Sequence, residues 1–211
     1  MYDLSALRET ILTGNAEAAA TTARNALDAG VRPVDIISDG ISPAMDEVGR
    51  RFEEGEFFVP ELLISARATR EIFRILHPLL AQTGSKSVST VAVGTVRGDL
   101  HDIGKNLVGA MLEGGGFKVI DLGVDVPPEK FIAAVQEKQA RILGLSGLLT
   151  STLPAMKKVI DAIQAAGIRD QVKIMVGGAP VTRKFADKIG ADGYGENATA
   201  AVTVARSLLG K

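Results

Sequence analysis

The sequence predicts a small all-α domain followed by an open α/β domain built on a five-stranded parallel sheet. Three observations predict it. Residues 1–85 carry only helical signals; from Val88 onward five short β-type runs alternate with helical stretches; and those runs are apolar on successive residues, as in Val91-Ala92-Val93 and Ile142-Leu143-Gly144-Leu145. An unbroken apolar strand is one buried on both faces, which is how parallel strands lie between two layers of helices.

In the first domain, taken as residues 1–85, Asn15 is placed to cap a helix from Ala16 toward Leu27, and Gly30 stands where a left-handed C-terminal cap belongs. Pro33 suits the first turn of the next helix, in which Ile41, Met45, Val48 and Phe52 recur as one apolar stripe. Glu54-Gly55-Glu56 breaks that pattern. Pro60 then opens a last helix through Leu62, Leu63, Ala66 and Ile72 to His77. Four helices with short connections make an antiparallel bundle. The small polar segment 82–87 reads as a linker that lets the bundle move as a unit.

In the second domain, residues 88–211, strands are expected at 88–93, 118–121, 141–145, 172–176 and, most weakly patterned, 192–194. Helices are expected at 103–112, 129–138, 153–165, 181–189 and 198–209. Such βα units form a parallel sheet with right-handed crossovers. Ligands of such sheets bind beyond the carboxyl ends of the strands, where the strand order reverses. The chemistry is therefore expected in the loops after the strands.

Composition narrows the function classes. A formal net charge of -1 gives no electrostatic reason to bind nucleic acid, and 4% aromatic residues are too few for a base-stacking platform. There is no apolar run long enough to span a membrane, and the start at Met1-Tyr2-Asp3 lacks the form of a signal peptide. Without cysteine there is no disulfide framework, thiolate nucleophile or thiolate metal site. The expected location is the cytoplasm.

Three loops carry chemistry. The first contains Gly98-Asp99-Leu100-His101-Asp102-Ile103-Gly104. A carboxylate two residues before a histidine can bind one ring nitrogen, fix the tautomer and leave the other nitrogen free for a metal. An Asp-x-His in a loop is also common without any such role, and Asp102 can serve as a plain helix N-cap before Ile103. The second loop, after the third strand, crowds the hydroxyls of Ser146, Thr150, Ser151 and Thr152; these can line a pocket, or Ser151 or Thr152 can simply cap the next helix. The third is Gly177-Gly178, which permits a tight turn or a close approach of backbone to a bulky ligand.

Taken together, these elements resemble the cobalamin-binding module shared by cobalamin-dependent methionine synthase, the mutases and the corrinoid proteins of methyltransferase systems. That pattern is Asp-x-His-x-x-Gly, Ser-x-Leu and Gly-Gly at set intervals. Here Asp99, His101 and Gly104 supply the first element, Ser146 and Leu148 come after 41 intervening residues, and Gly177 and Gly178 after 28 more. The resemblance implies a flavodoxin-like (Rossmann-like) domain that holds a corrinoid with its own base displaced and His101 on the cobalt. It implies a relay from His101 to Asp99 to a hydroxyl; methionine synthase has a serine at the position of Thr152. It assigns Ser146 and Thr150 to the pocket for the nucleotide tail, and Gly177-Gly178 and Ala198 to the backbone packed against that tail. The helical half extends the likeness: Met45 to Phe52, Gly55, Val59-Pro60 and Ser65-Ala66-Arg67 look like the cap of methionine synthase, with Phe52 and Val59 at the positions that cover the upper face of the cobalt.

The resemblance further implies a methyl carrier without turnover of its own. Such a carrier shuttles a methyl group on cobalt from a substrate-specific methyltransferase to a second one acting on tetrahydrofolate or coenzyme M, with a reductive activase as a further partner. Asp99 and His101 then link proton uptake to the methylation state of the metal. Methanol, methylamines, glycine betaine and methoxylated aromatics are all candidate donors, with a lean toward the O-demethylase type. Two other readings stand beside it. A cobalamin-based sensor would bring a signalling domain and commonly a tryptophan-rich cap, and the chain has no tryptophan. The small subunit of a mutase would lack the helical cap.

Overall fold

The computed structural model describes residues 2–82 and 89–210. The chain divides into two compact units, one of Met1–Val88 with Glu113–Gly116, the other of Ser89–Leu112 with Phe117–Lys211. The expected linker at 82–87 lies, beyond Gln82, outside the described residues.

The first unit is helical: α1 (Ser5–Leu12), α2 (Ala16–Asp28), a single turn α3 (Pro33–Asp35), α4 (Ser42–Glu53) and α5 (Val59–Gln82). Asn15 Oδ1 accepts the Ala18 N–H at 3.1 Å, the side-chain cap its position called for. Gly30, at φ 84°, ends α2, with the Val31 N–H returning to the Ala26 carbonyl at 3.0 Å. Two features depart from the sequence expectation. The helix after Pro33 is not continuous, because Ile36–Ile41 form a π turn before α4 begins. Pro43 has no N–H for the Asp39 carbonyl four residues back, and the Arg8 guanidinium donates to that carbonyl instead, at 3.0 Å. The wider turn buries Ile36, Gly40 and Ile41 together. The last helix also does not stop at His77: it runs through Pro78 to Gln82, and buried Leu76 and Leu80 continue its apolar stripe at a spacing of four.

The second unit is an open sheet with helices between its strands: β1 (Thr90–Thr95), α6 (Ile103–Gly114), β2 (Lys118–Asp121), α7 (Pro128–Gln136), β3 (Ile142–Ser146), α8 (Leu153–Ala165), β4 (Lys173–Gly177), α9 (Arg183–Ile189), β5 (Gly193–Gly195) and α10 (Ala198–Leu208). All pairs are parallel, in the order β2-β1-β3-β4-β5. The order reverses between β1 and β3, so the crevice for a ligand lies at the carboxyl ends of those two strands. Register aligns Thr95, Ser146, Gly177 and Gly195 in one row across the sheet. Most strands start and end one or two residues later than their apolar runs suggest. In β1 the reason is local: Gly94 continues the strand because the Phe131 ring would stand 2.9 Å from any Cβ there, and Thr95 is fully buried behind it. The core includes Ala92, Leu143, Leu145, Ile174 and Val176 of the strands and Phe131, Met156, Ile160 and Ile163 of α7 and α8.

Candidate functional site

The site is set up by a tight turn. The Asp99 N–H donates to the Val96 carbonyl at 3.1 Å, closing a four-residue turn whose third position, Gly98, has φ 86°. That conformation favours glycine, as in a type II turn. The turn drives Asp99 inward to 0% exposure and throws the next residues outward, so that Leu100 is 73% exposed and Ile103 82%.

Asp99 is the hub. Its Oδ1 accepts from His101 Nδ1 at 2.7 Å and from the His101 N–H at 3.1 Å. Its Oδ2 accepts from the Leu148 N–H at 2.8 Å, the Leu149 N–H at 3.2 Å and the Thr152 hydroxyl at 2.9 Å. Burial acts to raise the carboxyl; the bonds from the His101 ring, the Leu148 and His101 amides and the Thr152 hydroxyl outweigh it and hold the group well below the usual carboxylate range. An ionised Asp99 is acceptor-only, so the proton on the bridging ring nitrogen belongs to His101, and the lone pair is left on Nε2. Among the described residues nothing bonds Nε2, and the His101 side chain is half-exposed.

Thr152 caps nothing. It sits at the N-cap position of α8 in a helical conformation with no side-chain cap bond, which corrects the capping alternative for this residue. Its hydroxyl has one proton and two acceptors in range, Asp99 Oδ2 at 2.9 Å and the Leu149 carbonyl at 2.8 Å. The methyl that distinguishes it from serine lies against Gly98, 3.6 Å from where a Cβ would stand there, so it does not push the hydroxyl off the carboxylate. Asp102 stands where an N-cap residue would: its carbonyl accepts the Asn106 N–H at 2.8 Å, and its carboxylate takes the Asn106 side-chain amide at 3.2 Å.

The other residues singled out by sequence fall into two groups. Gly104, Ser146, Leu148 and Thr150 lie around the same strand ends. Leu148 is exposed, and among the described residues the hydroxyls of Ser146 and Thr150 have no hydrogen-bond partner. A Cβ on Gly104 would meet nothing within 4 Å, so this chain's own packing does not call for a glycine there. Gly177 and Gly178 are different. A Cβ on Gly177 would stand 2.9 Å from the Gly195 carbonyl oxygen, and one on Gly178, at φ 130°, 2.0 Å from that of Gly147. Both are required by the fold itself. Ala198 is buried at the start of α10, where Asn197 Oδ1 accepts the Ala200 N–H at 2.7 Å. In the helical unit Phe52 is half-buried near the end of α4, and Val59 is exposed at the start of α5.

Sequence reasoning missed the two loop amides of Leu148 and Leu149, since a backbone N–H has no signature in residue type. It also missed Leu149 itself, exposed beside Leu148. A bare metal ion does not suit this place: among the described residues no cluster of three or more His, Cys, Asp or Glu could hold one. A single imidazole amid exposed leucine and isoleucine, beside an open glycine and unpartnered hydroxyls, fits a metal that arrives inside a large, partly apolar macrocycle with a polar appendage.

Comparison with known proteins agrees. A B12 binding domain model matches residues 89–203, and a second B12 binding domain model matches residues 4–77. Trimethylamine corrinoid protein 1 of Methanosarcina acetivorans is 44% identical over 204 residues, covering 96% of this chain and 94% of its own. A crystal structure of a cobalamin-binding protein from Desulfitobacterium hafniense superposes with a TM-score of 0.82 at 31% identity over 99% of both chains. The methanol:cobalamin methyltransferase complex of Methanosarcina barkeri contains a chain similar at a TM-score of 0.80 and 32% identity, over 99% of this chain and 80% of that one. The chain therefore belongs to the B12-binding family, as a corrinoid protein that joins a helical cap to a cobalamin-binding domain.

Proposed function

We propose that this methyl-carrying corrinoid protein binds cobalamin with the nucleotide base displaced and His101 as the lower ligand of the cobalt, and that it carries a methyl group between two methyltransferases. The observation that carries the reading is the free Nε2 of a half-exposed histidine whose other nitrogen is held by a fully buried carboxylate. Bound cobalamin supplies a cobalt that accepts a methyl group and gives it up again. The chain's residues do the rest. Asp99 fixes the His101 tautomer, and Thr152 with the Leu148 and Leu149 amides keeps Asp99 ionised and in place. Gly104 leaves room for the macrocycle, and Leu100 and Ile103 give it an apolar bed. Ser146 and Thr150 offer hydroxyls to the nucleotide tail, with the backbone at Gly177, Gly178 and Ala198 alongside. Phe52 and Val59 are the cap residues assigned to the upper face, where they keep water from the cobalt between transfers.

The chain has no turnover of its own in this reading and works in the cytoplasm. Its partners are a substrate-specific methyltransferase, a second methyltransferase that uses tetrahydrofolate or coenzyme M, and a reductive activase. A methylated amine is the first donor to test, because a relative 44% identical over 96% of the chain is a trimethylamine corrinoid protein. Methanol and methoxylated aromatics, the latter through an O-demethylase, are the competing arms. The test mixes the cobalamin-loaded protein with candidate methyltransferases and each donor in turn. Demethylation that depends on this chain supports the carrier and names the donor; a protein that binds cobalamin but promotes none of these transfers while regulating a promoter would instead be a sensor.

A further inference from the structure

Two sets of contacts in the site touch neither the Asp99 carboxylate nor the His101 ring. The hydroxyl of Thr95, the last residue of β1, donates to the backbone carbonyl of His101 at 2.8 Å. Thr95 is fully buried, its N–H donates to the Gly123 carbonyl at 3.0 Å, and its own carbonyl accepts the Val126 N–H at 2.9 Å. Every polar group of the residue is thus engaged, one of them on the candidate ligand. On the other side, Asp125 Oδ1 accepts the Gly98 N–H at 2.7 Å, and the Asp125 N–H donates to the Asp99 carbonyl at 3.0 Å. Asp125 has φ 50°, a left-handed conformation that aspartate tolerates better than most residues. Observed strain of this kind, held by bonds at both ends of one residue, is a pointer to a positional role.

The two contacts bracket the histidine. The segment after β2 runs beside the end of β1, pairing Val126 with Val96, and from there grips the peptide groups at Gly98 and Asp99, while Thr95 grips the carbonyl of His101. The carboxylate relay sets the tautomer and rotation of the ring. Its one bond to the His101 backbone is at the N–H, 3.1 Å, so the carbonyl end of the residue is left for Thr95 to hold, and a metal ligand must be held to about half an ångström of its productive position.

We propose that Thr95 and Asp125 are positioning residues for His101, forming a backbone clamp that fixes the ligand's height above the strand ends before cobalamin binds. This rests on the reading of His101 as the lower cobalt ligand. Thr95 contributes more, because its side chain is fully buried and its bond is partly buried, whereas Asp125 is exposed.

The test loads wild type and variants with cob(II)alamin and reads, by electron paramagnetic resonance on protein made with nitrogen-isotope-labelled histidine, the fraction of cobalt that carries a protein histidine. Thr95→Val should lower the ratio of histidine-bound to unbound cobalt about tenfold, and Thr95→Ser should restore it. Asp125→Gly keeps the backbone conformation but loses the acceptor, and should lower the ratio about threefold; Asp125→Asn should stay near wild type. A residue that only stabilised the fold would leave this ratio unchanged in the folded protein. If wild type itself shows no histidine coupling, the axial-ligand reading fails. If wild type shows it and Thr95→Val and Asp125→Gly match wild type, the clamp is overturned and the ligand reading stands. Should Thr95→Val not fold, the exposed Asp125→Gly variant decides alone.

Discussion

Glycines stand where the loop after β1 enters α6 and in the loop after β4, and they are there for opposite reasons. Gly178 packs so closely on the Gly147 carbonyl that any side chain would collide with backbone. Gly104, in the first turn of α6, has open space around its missing Cβ. One loop lacks side chains because the chain itself fills the space. The other lacks one where the chain leaves the space empty. In the proposed reading, this glycine that the fold does not need, next to an imidazole with a free nitrogen, lies on the face turned toward the cofactor.

Substitutions should separate the two loops sharply. Gly178→Ala combines φ 130° with a backbone collision and should cost more than about 4 kcal/mol, so that urea unfolding finds little folded protein. Asp99→Ala leaves the Leu148 and Leu149 amides without their acceptor and should cost about 3 kcal/mol in the same measurement. Gly104→Ala should move in the other direction. It should raise the stability of the cobalamin-free protein by up to about 1 kcal/mol through helix propensity, while weakening cobalamin binding at least about tenfold as read by titration. An alanine at 104 that left cobalamin affinity unchanged would remove the contrast.

Charge gives the same contrast on a second axis. Asp99 is buried with its pKa depressed, so it binds its proton later than the unfolded chain does as the pH falls. Its stabilising contribution is complete above the ordinary carboxylate range and is lost on acidification, from about pH 5 downward. Wild type should therefore lose more stability than Asp99→Asn on going from neutral pH to about pH 3. Glu47 on α4 is also depressed, to about 2, by bonds from Arg50 and then Arg51. It lies at the surface, where solvent screens the pair, and Glu47→Gln should leave the midpoint of thermal unfolding unchanged. Two depressed carboxylates thus differ in consequence because only one is dry.

Sequence patterning carried the layer order, the five strands and the members of the first loop, because burial on both faces and helix caps each write a residue pattern. It carried less where geometry depends on backbone. Asp99-x-His101 says that a carboxylate can reach a ring; it does not say that two amides from a loop 49 and 50 residues onward will share that carboxylate. Thr152 suits a helix cap as readily as a relay partner, and only its turn away from α8 decides between them. Gly177-Gly178 suggests room for a ligand, whereas the immediate reason is the neighbouring strand and loop. Thr95 and Asp125 act through main-chain groups, and the π turn before α4 arises from one proline and one distant arginine. None of these has a spacing that a sequence displays.

His101 as the lower ligand of the bound cobalt is the central claim, and the most direct measurement is the visible spectrum of the protein reconstituted with methylcobalamin, wild type against His101→Ala. Wild type should give a histidine-ligated spectrum and the variant the spectrum of a corrinoid without a lower ligand. Identical spectra from the two proteins would contradict the claim.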